Sequence, residues 1–315
     1  MNLCERLAGK SVLVTGASGF IGGHLCRRLD ICGATIHAVS RLRRLEGEHV
    51  RWWQADCKDI GAVRQLFKVI RPQVVFHLAS HVVGARALDE VLPTFYDNLA
   101  STVHLLTAAA ETGCQRIVLA NSSEEPQVLG STAFARSPYA AAKWASGIYG
   151  GMFHQLFQMP VVMPRIFMTY GPNQHDAQKL VPYVALHLLR GDSPKLSSGR
   201  RRADWIYVDD VVEGLLRAAI ASGIEGCAFD LGSGSLTSVR EIAEQIVEIV
   251  GTSVEPVFGV VPDRPFEQER PADTTFMSDK LGFLPTVSLK QGLETTVGWY
   301  RRQLPSVVEE QVGRY

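Results

Sequence analysis

The sequence has no excess charge of either sign and no long hydrophobic run. Its 32 Lys and Arg balance 32 Asp and Glu among 315 residues, so the formal net charge is 0. Without a basic surface there is no electrostatic reason to expect nucleic acid as a partner, and the two short arginine clusters suit small anionic ligands instead. No apolar segment approaches the roughly 20 residues that a membrane-spanning helix needs. We therefore predict a globular protein with no nucleic-acid partner and no membrane partner.

Cysteine is scarce, and the six cysteines show neither a Cys-x-x-Cys pair nor another paired metal-ligand spacing. This pattern predicts reduced, mostly buried thiols and no metal site. The apolar run at 12–14 is too short for a signal peptide and leads directly into glycines. These absences together predict a cytoplasmic protein.

Short apolar runs alternate with helical periodicity in the first half of the chain. Strands are predicted at 11–14, 35–39, 50–54, 74–78, 116–119 and 161–166, and helices at 22–29, 60–70, 98–110 and 139–157. Continuous apolar strands that alternate with helices indicate a parallel sheet covered on both faces. Because the crossovers are right-handed, the pattern predicts an α/β fold with a doubly wound, Rossmann-type sheet.

The pattern changes after residue 170, where loops become richer in Pro, Gly and Arg and the strands become shorter. Helices are predicted there at 180–189, 211–221, 239–250 and 289–300. We predict a dinucleotide-binding domain over 1–170, to which segments around 204–235 return. A smaller C-terminal α/β lobe, made of 171–203 and 236–315, is predicted to bind substrate.

A glycine-rich loop follows the first strand and opens the first helix. It comprises Gly16, Ser18, Gly19, Phe20, Ile21 and Gly22. Glycine lets the backbone approach a pyrophosphate closely, and the N-terminus of the helix then faces the phosphates. The loop therefore predicts a dinucleotide site, and the alternative is a glycine-rich turn with no ligand.

The end of the second strand bears on the choice between NAD and NADP. An NAD site usually has an acid there for the ribose 2′-hydroxyl. Here the strand ends in Ser40 and Arg41, Arg44 follows, and no carboxylate precedes Glu46. These side chains suit a 2′-phosphate, so we predict NADP(H) as the cofactor, with NAD less favoured. The alternative is a solvated basic loop.

Tyr139 and Lys143 lie four residues apart on a predicted helix, and residues at that spacing share a face. An ammonium beside a phenol favours the phenolate, so Lys143 is predicted to lower the pKa of Tyr139 from about 10. Tyr139 is then a candidate proton donor and acceptor near neutral pH. The alternative is a surface tyrosine with a solvated lysine.

Several motifs together resemble one family. They are Thr-Gly-x-x-Gly-x-x-Gly from Thr15, Phe-His-Leu-Ala from Phe76, Tyr-x-x-x-Lys from Tyr139, Tyr-Gly-Pro from Tyr170 and Tyr-Val-Asp-Asp from Tyr207. The chain is similar over nearly its whole length to the extended short-chain dehydrogenase/reductases, namely the NAD-dependent epimerase/dehydratase group, which mostly modifies nucleotide sugars.

The resemblance implies a catalytic trio in which Ser122 hydrogen-bonds the reacting oxygen beside Tyr139 and Lys143 also binds the nicotinamide ribose. It implies further cofactor contacts at Asp56, Cys57, Leu78, Ala79, Ser80, Pro164 and Phe167. It implies substrate contacts at Ser123, and diphosphate contacts at Arg202 and Arg270. His81 is a further candidate substrate contact, with a structural histidine as the alternative.

The chain departs from the family pattern after Ser122, where Glu124 and Glu125 are followed by Pro126. Glu124 is a candidate second acid–base group, and the alternative is an exposed loop glutamate. The resemblance implies a nucleotide-diphosphate-sugar substrate with hydride transfer at C4, in a protein that is expected to form a homodimer through the helices at 98–110 and 139–157.

NADP recognition favours a 4-keto-6-deoxy-sugar reductase among the possible reactions. The alternatives are a 4-epimerase or 4,6-dehydratase that retains its cofactor, an enzyme for a small non-sugar ketone, and a non-catalytic NADP(H)-binding sensor or scaffold.

Overall fold

The computed structural model describes residues 2–44, 50–126, 134–265, 267 and 269–312, without the side chains of 305–312. The chain divides into two units. The first comprises Met1–Ile166, Val212–Leu231 and Asp273–Phe283, and the second comprises Phe167–Val211, Gly232–Ala272 and Leu284–Tyr315. The predicted limits of the two functional domains stay a prediction.

The strands are, in chain order, β1 (Ser11–Thr15), β2 (Thr35–Ser40), β3 (Val50–Gln54), β4 (Val74–His77), β5 (Arg116–Leu119), β6 (Asn121–Ser122), β7 (Val161–Ile166), β8 (Met168–Tyr170), β9 (Arg202–Tyr207), β10 (Ala228–Leu231) and β11 (Leu236–Ser238). The helices are α1 (Leu3–Leu7), α2 (Phe20–Ile31), α3 (Ile60–Ile70), α4 (Val91–Thr94), α5 (Ser101–Thr112), α6 (Pro138–Phe157), α7 (Leu180–Arg190), α8 (Val208–Ile220), α9 (Val239–Val250), α10 (Thr275–Leu281) and α11 (Leu289–Val312).

The first unit is built on a parallel sheet with the order β10-β7-β5-β4-β1-β2-β3, and β6 pairs with β7. Every residue of β4 and β5 is buried, because helices cover both faces of these central strands. The order reverses direction between β1 and β4, which is where such sheets bind ligands. This topology confirms the predicted doubly wound sheet.

The second unit has its own small sheet with the order β11-β9-β8, in which β8 and β9 are parallel and β9 and β11 are antiparallel. Its loops are tied by Asp204, which is buried in β9. The carboxylate of Asp204 accepts hydrogen bonds from the Ser233, Gly234 and Ala272 amides over 2.7 to 2.9 Å. A buried charge is tolerated here because several donors satisfy it.

Some predicted elements differ from those observed. The helix predicted from residue 98 is preceded by a π-helix, Phe95–Ala100, that runs directly into α5. The final helix continues to Val312 instead of ending at Tyr300. Helices α1 and α10 have no counterpart in the prediction, because five and seven residues are too few for periodicity to be recognised.

The prediction that all cysteines are reduced is wrong for one pair. Cys4 and Cys32 form a disulfide, with their Cα atoms 4.4 Å apart. Cys4 lies in the unpredicted helix α1 and Cys32 at the end of α2, so only the tertiary contact between these helices reveals the pairing. The remaining four cysteines are free thiols.

The helices of the described residues include none that is both long and apolar enough to span a bilayer. Exposed apolar side chains do occur on α4, the π-helix and α6, namely Leu92, Phe95, Tyr96, Ile148 and Tyr149. They lie in or beside the two helical segments expected to form the homodimer, which itself stays a prediction.

Candidate active site

The glycine loop between β1 and α2 fits a dinucleotide. Gly16 has a φ of +71°, and a Cβ there would stand 2.6 Å from the Ala79 amide nitrogen, two residues after β4. Gly19 caps α2 without a side-chain hydrogen bond, and a Cβ on Gly22 would collide with the Gly16 carbonyl. The loop is therefore closed tightly against β4, while the exposed Ser18 and Gly19 leave the amides at the helix N-terminus accessible to a pyrophosphate.

Two buried side chains that the sequence reasoning missed hold the strand ends beneath this loop. The Thr15 hydroxyl lies 2.7 Å from His77 Nδ1 and accepts the Ala79 amide over 3.2 Å. His77 Nε2 lies 3.2 Å from the Thr102 hydroxyl. Burial lowers the pKa of His77 to about 3, so the ring is neutral and can donate on one side and accept on the other. The sequence did offer one signal for this pair of residues, because Thr15 is the first residue of the glycine motif.

The basic loop after β2 is open to solvent. Ser40 is buried and its hydroxyl accepts the Leu42 amide over 3.2 Å, whereas Arg41 and Arg44 are exposed. The guanidinium of Arg44 lies 5.9 Å from the Trp52 ring centre. No carboxylate occurs at 40–44, and Glu46 lies outside the described residues.

The predicted adenine contacts lie just after β3. Asp56 is partly exposed and accepts the Lys58 amide over 2.9 Å. Burial raises the pKa of the Cys57 thiol to about 12, so the thiol is uncharged at neutral pH and is not a nucleophile; its contact with the cofactor stays a prediction.

The segment after β4 is held by Asn98, which lies in the π-helix. Asn98 Oδ1 accepts the Ser80 hydroxyl over 3.0 Å and the His81 amide over 2.6 Å, and its amide donates to the His81 carbonyl over 3.1 Å. His81 Nε2 lies 2.8 Å from a Glu90 carboxylate oxygen. These contacts support the structural alternative for His81, and they agree with the tendency of π-helices to occur at functional sites.

The structure brings Ser122, Tyr139 and Lys143 together at the end of β6 and the first turns of α6. Ser137 caps α6 by accepting the Ala140 amide over 3.0 Å, which places Tyr139 in the first turn. The Tyr139 hydroxyl hydrogen-bonds the side chains of Ser122 and Ser80. The Lys143 ammonium is buried and donates to the Ala120 carbonyl over 2.8 Å.

The pKa of Tyr139 moves opposite to the prediction. Although the ring is partly exposed, burial of the hydroxyl raises its pKa, and the carboxylates of Glu124 and Glu125 add to the rise. Burial also lowers the pKa of Lys143 to about 8. Desolvation disfavours both charged forms and is the largest cause of each shift, whereas Lys143 is not among the groups that shift the pKa of Tyr139. Tyr139 is consequently protonated at neutral pH.

The segment that follows Ser122 places its two glutamates differently. Ser123 and Glu124 are half-buried, and the Glu124 amide donates to the Ser122 hydroxyl over 3.2 Å. Glu125 is buried, and its carboxylate accepts the Ser122 amide over 2.9 Å. The sequence reasoning missed Glu125, although Ser-x-x-Glu is the spacing at which a glutamate reaches back to a backbone amide.

The other predicted residues are distributed between the two units. Pro164 is buried in β7 of the first unit, opposite Phe229. In the second unit the Arg270 guanidinium lies 4.6 Å from the Phe167 ring centre. Arg202 is exposed and donates to the Leu236 carbonyl over 3.2 Å.

Comparison with known proteins agrees with this geometry. The model of the NAD dependent epimerase/dehydratase family matches residues 12–232. A UDP-glucose 4-epimerase of Mycolicibacterium smegmatis is 30% identical, with 92% of this chain and 98% of the relative covered. A dTDP-glucose 4,6-dehydratase of an Actinoplanes species is 28% identical, with coverages of 92% and 97%. A UDP-glucose 4-epimerase of Thermotoga maritima, solved with UDP-glucose, superposes with a TM-score of 0.84 at 27% identity, covering 93% of this chain and 99% of its own.

Proposed function

Because this chain belongs to the NAD dependent epimerase/dehydratase family, we propose that it acts on a nucleoside-diphosphate sugar by hydride transfer at a ring carbon, most simply C4. The observation that carries the proposal is the buried cluster in which the Tyr139 hydroxyl contacts Ser122 and Lys143 lies one helical turn away. The relatives that convert UDP-glucose and dTDP-glucose support this substrate class.

Each residue of the cluster has a different role in the proposed proton transfer. Tyr139 exchanges a proton with the sugar hydroxyl as its carbon is oxidised or reduced, and Ser122 hydrogen-bonds the same oxygen. Lys143 would place a positive charge near Tyr139 and would bind the nicotinamide ribose of the cofactor. The glycine loop would hold the pyrophosphate of the cofactor, whose nicotinamide would supply or accept the hydride. Arg202 and Arg270 would suit the two phosphates of the substrate.

Two outcomes of the reaction are distinguished by the fate of the cofactor. The epimerase and dehydratase relatives support an internal cycle, in which the hydride returns to the sugar. Net reduction of a 4-keto-6-deoxy sugar is the second candidate, and the carboxylate-free loop at Ser40 and Arg41 favours it because NADPH is the usual cellular reductant. The test incubates the protein with nucleotide sugars and their 4-keto-6-deoxy forms, and follows NADPH absorbance together with product identity. If no sugar is converted although NADP(H) binds, the alternative of a non-catalytic sensor is supported instead.

The choice of cofactor is tested at Arg41. We expect the unmodified protein to bind NADP(H) more tightly than NAD(H), and Arg41→Ala to weaken NADP(H) by about ten- to a hundredfold while leaving NAD(H) nearly unchanged, since one charge-assisted contact is lost. Titration of cofactor fluorescence measures both affinities. Arg43→Ala is the matched control, because it removes an exposed arginine of the same loop. Equal affinities for the two cofactors in the unmodified protein would contradict the preference.

The role of Glu124 separates the reactions further. A dehydratase must remove a proton from C5 and expel the C6 hydroxyl, so it needs an acid–base group besides Tyr139. If the protein is a reductase, Glu124→Gln should retain activity within about tenfold and NADPH should disappear one for one with product. A fall of about 10² or more without net loss of NADPH would identify a dehydratase. Turnover without NADPH loss that is insensitive to Glu124→Gln would identify an epimerase.

A further inference from the structure

Glu125 is a buried carboxyl group next to the catalytic trio, and the proposed reaction leaves it without a role. The residue has a relative exposure of 7%, and burying a carboxylate is costly unless other groups compensate for it. One compensation is local, since Glu125 Oε1 accepts the Ser122 amide over 2.9 Å. Glu125 therefore fixes the backbone of the residue whose hydroxyl contacts Tyr139.

The second compensation comes from α6. A Cβ on Gly147 would stand 3.8 Å from Glu125 Oε2, so the carboxyl group lies directly against the helix at that position. Gly147 is four residues after Lys143, and residues at this spacing share one helix face. Lys143 is itself anchored to the Ala120 carbonyl, at the start of the segment that carries Glu125. Lys143 and the Glu125 carboxyl group thus lie along the same face of α6, beside the same short segment.

We propose that Glu125 is a positioning residue that serves as the internal counter-charge of Lys143 and anchors the backbone of Ser122. A buried ammonium tends to lose its proton, and a carboxylate nearby opposes that tendency. Glu125 acts on the reaction through these two residues and does not itself contact the substrate.

The electrostatics of the cluster agree with this role. Burial lowers the pKa of Lys143 to about 8, and within the described part of the chain Glu125 is the one group that raises it. Burial raises the pKa of Glu125 to about 7, against the opposing effects of Arg165 and Lys143. Arg165, which lies in β7, is itself paired with Asp230 over 2.7 Å. His77 in β4, whose pKa the charge of Lys143 also lowers, is neutral. Lys143 therefore depends on Glu125 to stay protonated at and just above neutral pH.

The test follows the protonation of Lys143 directly, with neither substrate nor cofactor. The chain has only 8 lysines, so the NMR spectrum of protein carrying carbon-13 at lysine Cε contains few signals. The Lys143 signal is assigned as the one that is absent from the spectrum of Lys143→Met. In Glu125→Gln we expect the pH midpoint of the Lys143 titration to fall by about one pH unit. At a given pH near the midpoint, the ratio of ammonium to amine then falls about tenfold. Glu125→Asp, which keeps the charge, should return the midpoint towards that of the unmodified protein.

Glu124→Gln is the matched control, because Glu124 is adjacent in sequence, is half-buried and does not contribute to the shift of Lys143. An unchanged Lys143 midpoint in Glu125→Gln, or an equal fall in Glu124→Gln, overturns the proposal.

Should Glu125→Gln not fold, the unmodified protein still provides a test. Its Lys143 signal should show a second inflection near pH 7, where Glu125 titrates, and absence of that inflection also overturns the proposal. The inference rests on the proposed role of Lys143, but because these titrations need no turnover, their failure is distinct from a failure of the proposed reaction.

Discussion

Tyr139→Phe is expected to lower turnover by about 10² to 10⁴, the usual contribution of a positioned acid–base group. Phenylalanine preserves the ring and its packing in the first turn of α6 and removes only the hydroxyl that contacts Ser122 and Ser80. Cofactor affinity should therefore stay close to that of the unmodified protein. The measurements are kcat on the converted sugar and a fluorescence titration with NADPH.

Tyr149→Phe is the control for this change, because it makes the same substitution on an exposed side chain of the same helix. It should leave turnover unchanged. Full activity of Tyr139→Phe on the true substrate would contradict the proposal that Tyr139 transfers the proton. A loss of both turnover and cofactor affinity would point instead to a disturbed fold of α6.

Gly16→Ala is expected to abolish measurable cofactor binding and to destabilise the protein by roughly 2 to 4 kcal/mol. The φ of +71° at Gly16 strains any residue with a Cβ, and that Cβ would stand 2.6 Å from the Ala79 amide nitrogen and 2.7 Å from the Leu78 carbonyl carbon. Both obstacles are backbone atoms, so the loop and the end of β4 must separate to accept the methyl group. Thermal unfolding and cofactor titration measure the two effects.

Gly23→Ala is the matched control seven residues later. A Cβ there meets nothing closer than the Ala17 carbonyl oxygen at 3.9 Å, and the residue lies inside α2. Alanine in a helix should leave stability unchanged or raise it by about 0.5 to 1 kcal/mol. Equal losses for Gly16→Ala and Gly23→Ala would show that the loop is not closed as described.

The parts of the protein that depend on neighbouring residues in the chain were predictable from sequence. Strands such as β3 and β5 and the helix α3 were predicted with their observed limits, because each has a local apolar pattern bounded by breaking residues. The glycine loop was equally predictable from the sequence, since the spacing of its glycines reflects the backbone geometry of one turn.

The candidate site divides in the same way. The spacing of Tyr139 and Lys143 shows that they share a helix face, and the structure adds Ser122 to them through the pairing of β6 with β7. The direction of the Tyr139 pKa was predicted wrongly, because it depends on desolvation by groups from several distant segments. A charge pair can be seen in a sequence, but burial cannot.

The sequence by itself determined the alternation of strands and helices, the glycine loop and the spacing of Tyr139 and Lys143, because each depends on residues a few positions apart. Only the tertiary structure decided that Glu125 is buried while Glu124 remains half-buried, and that Cys4 meets Cys32. Two adjacent glutamates are chemically identical in a sequence, and two cysteines 28 positions apart carry no mark of a partner. What distinguishes them is which side chain the folded chain removes from water and what it brings alongside, and these are properties of packing between remote segments.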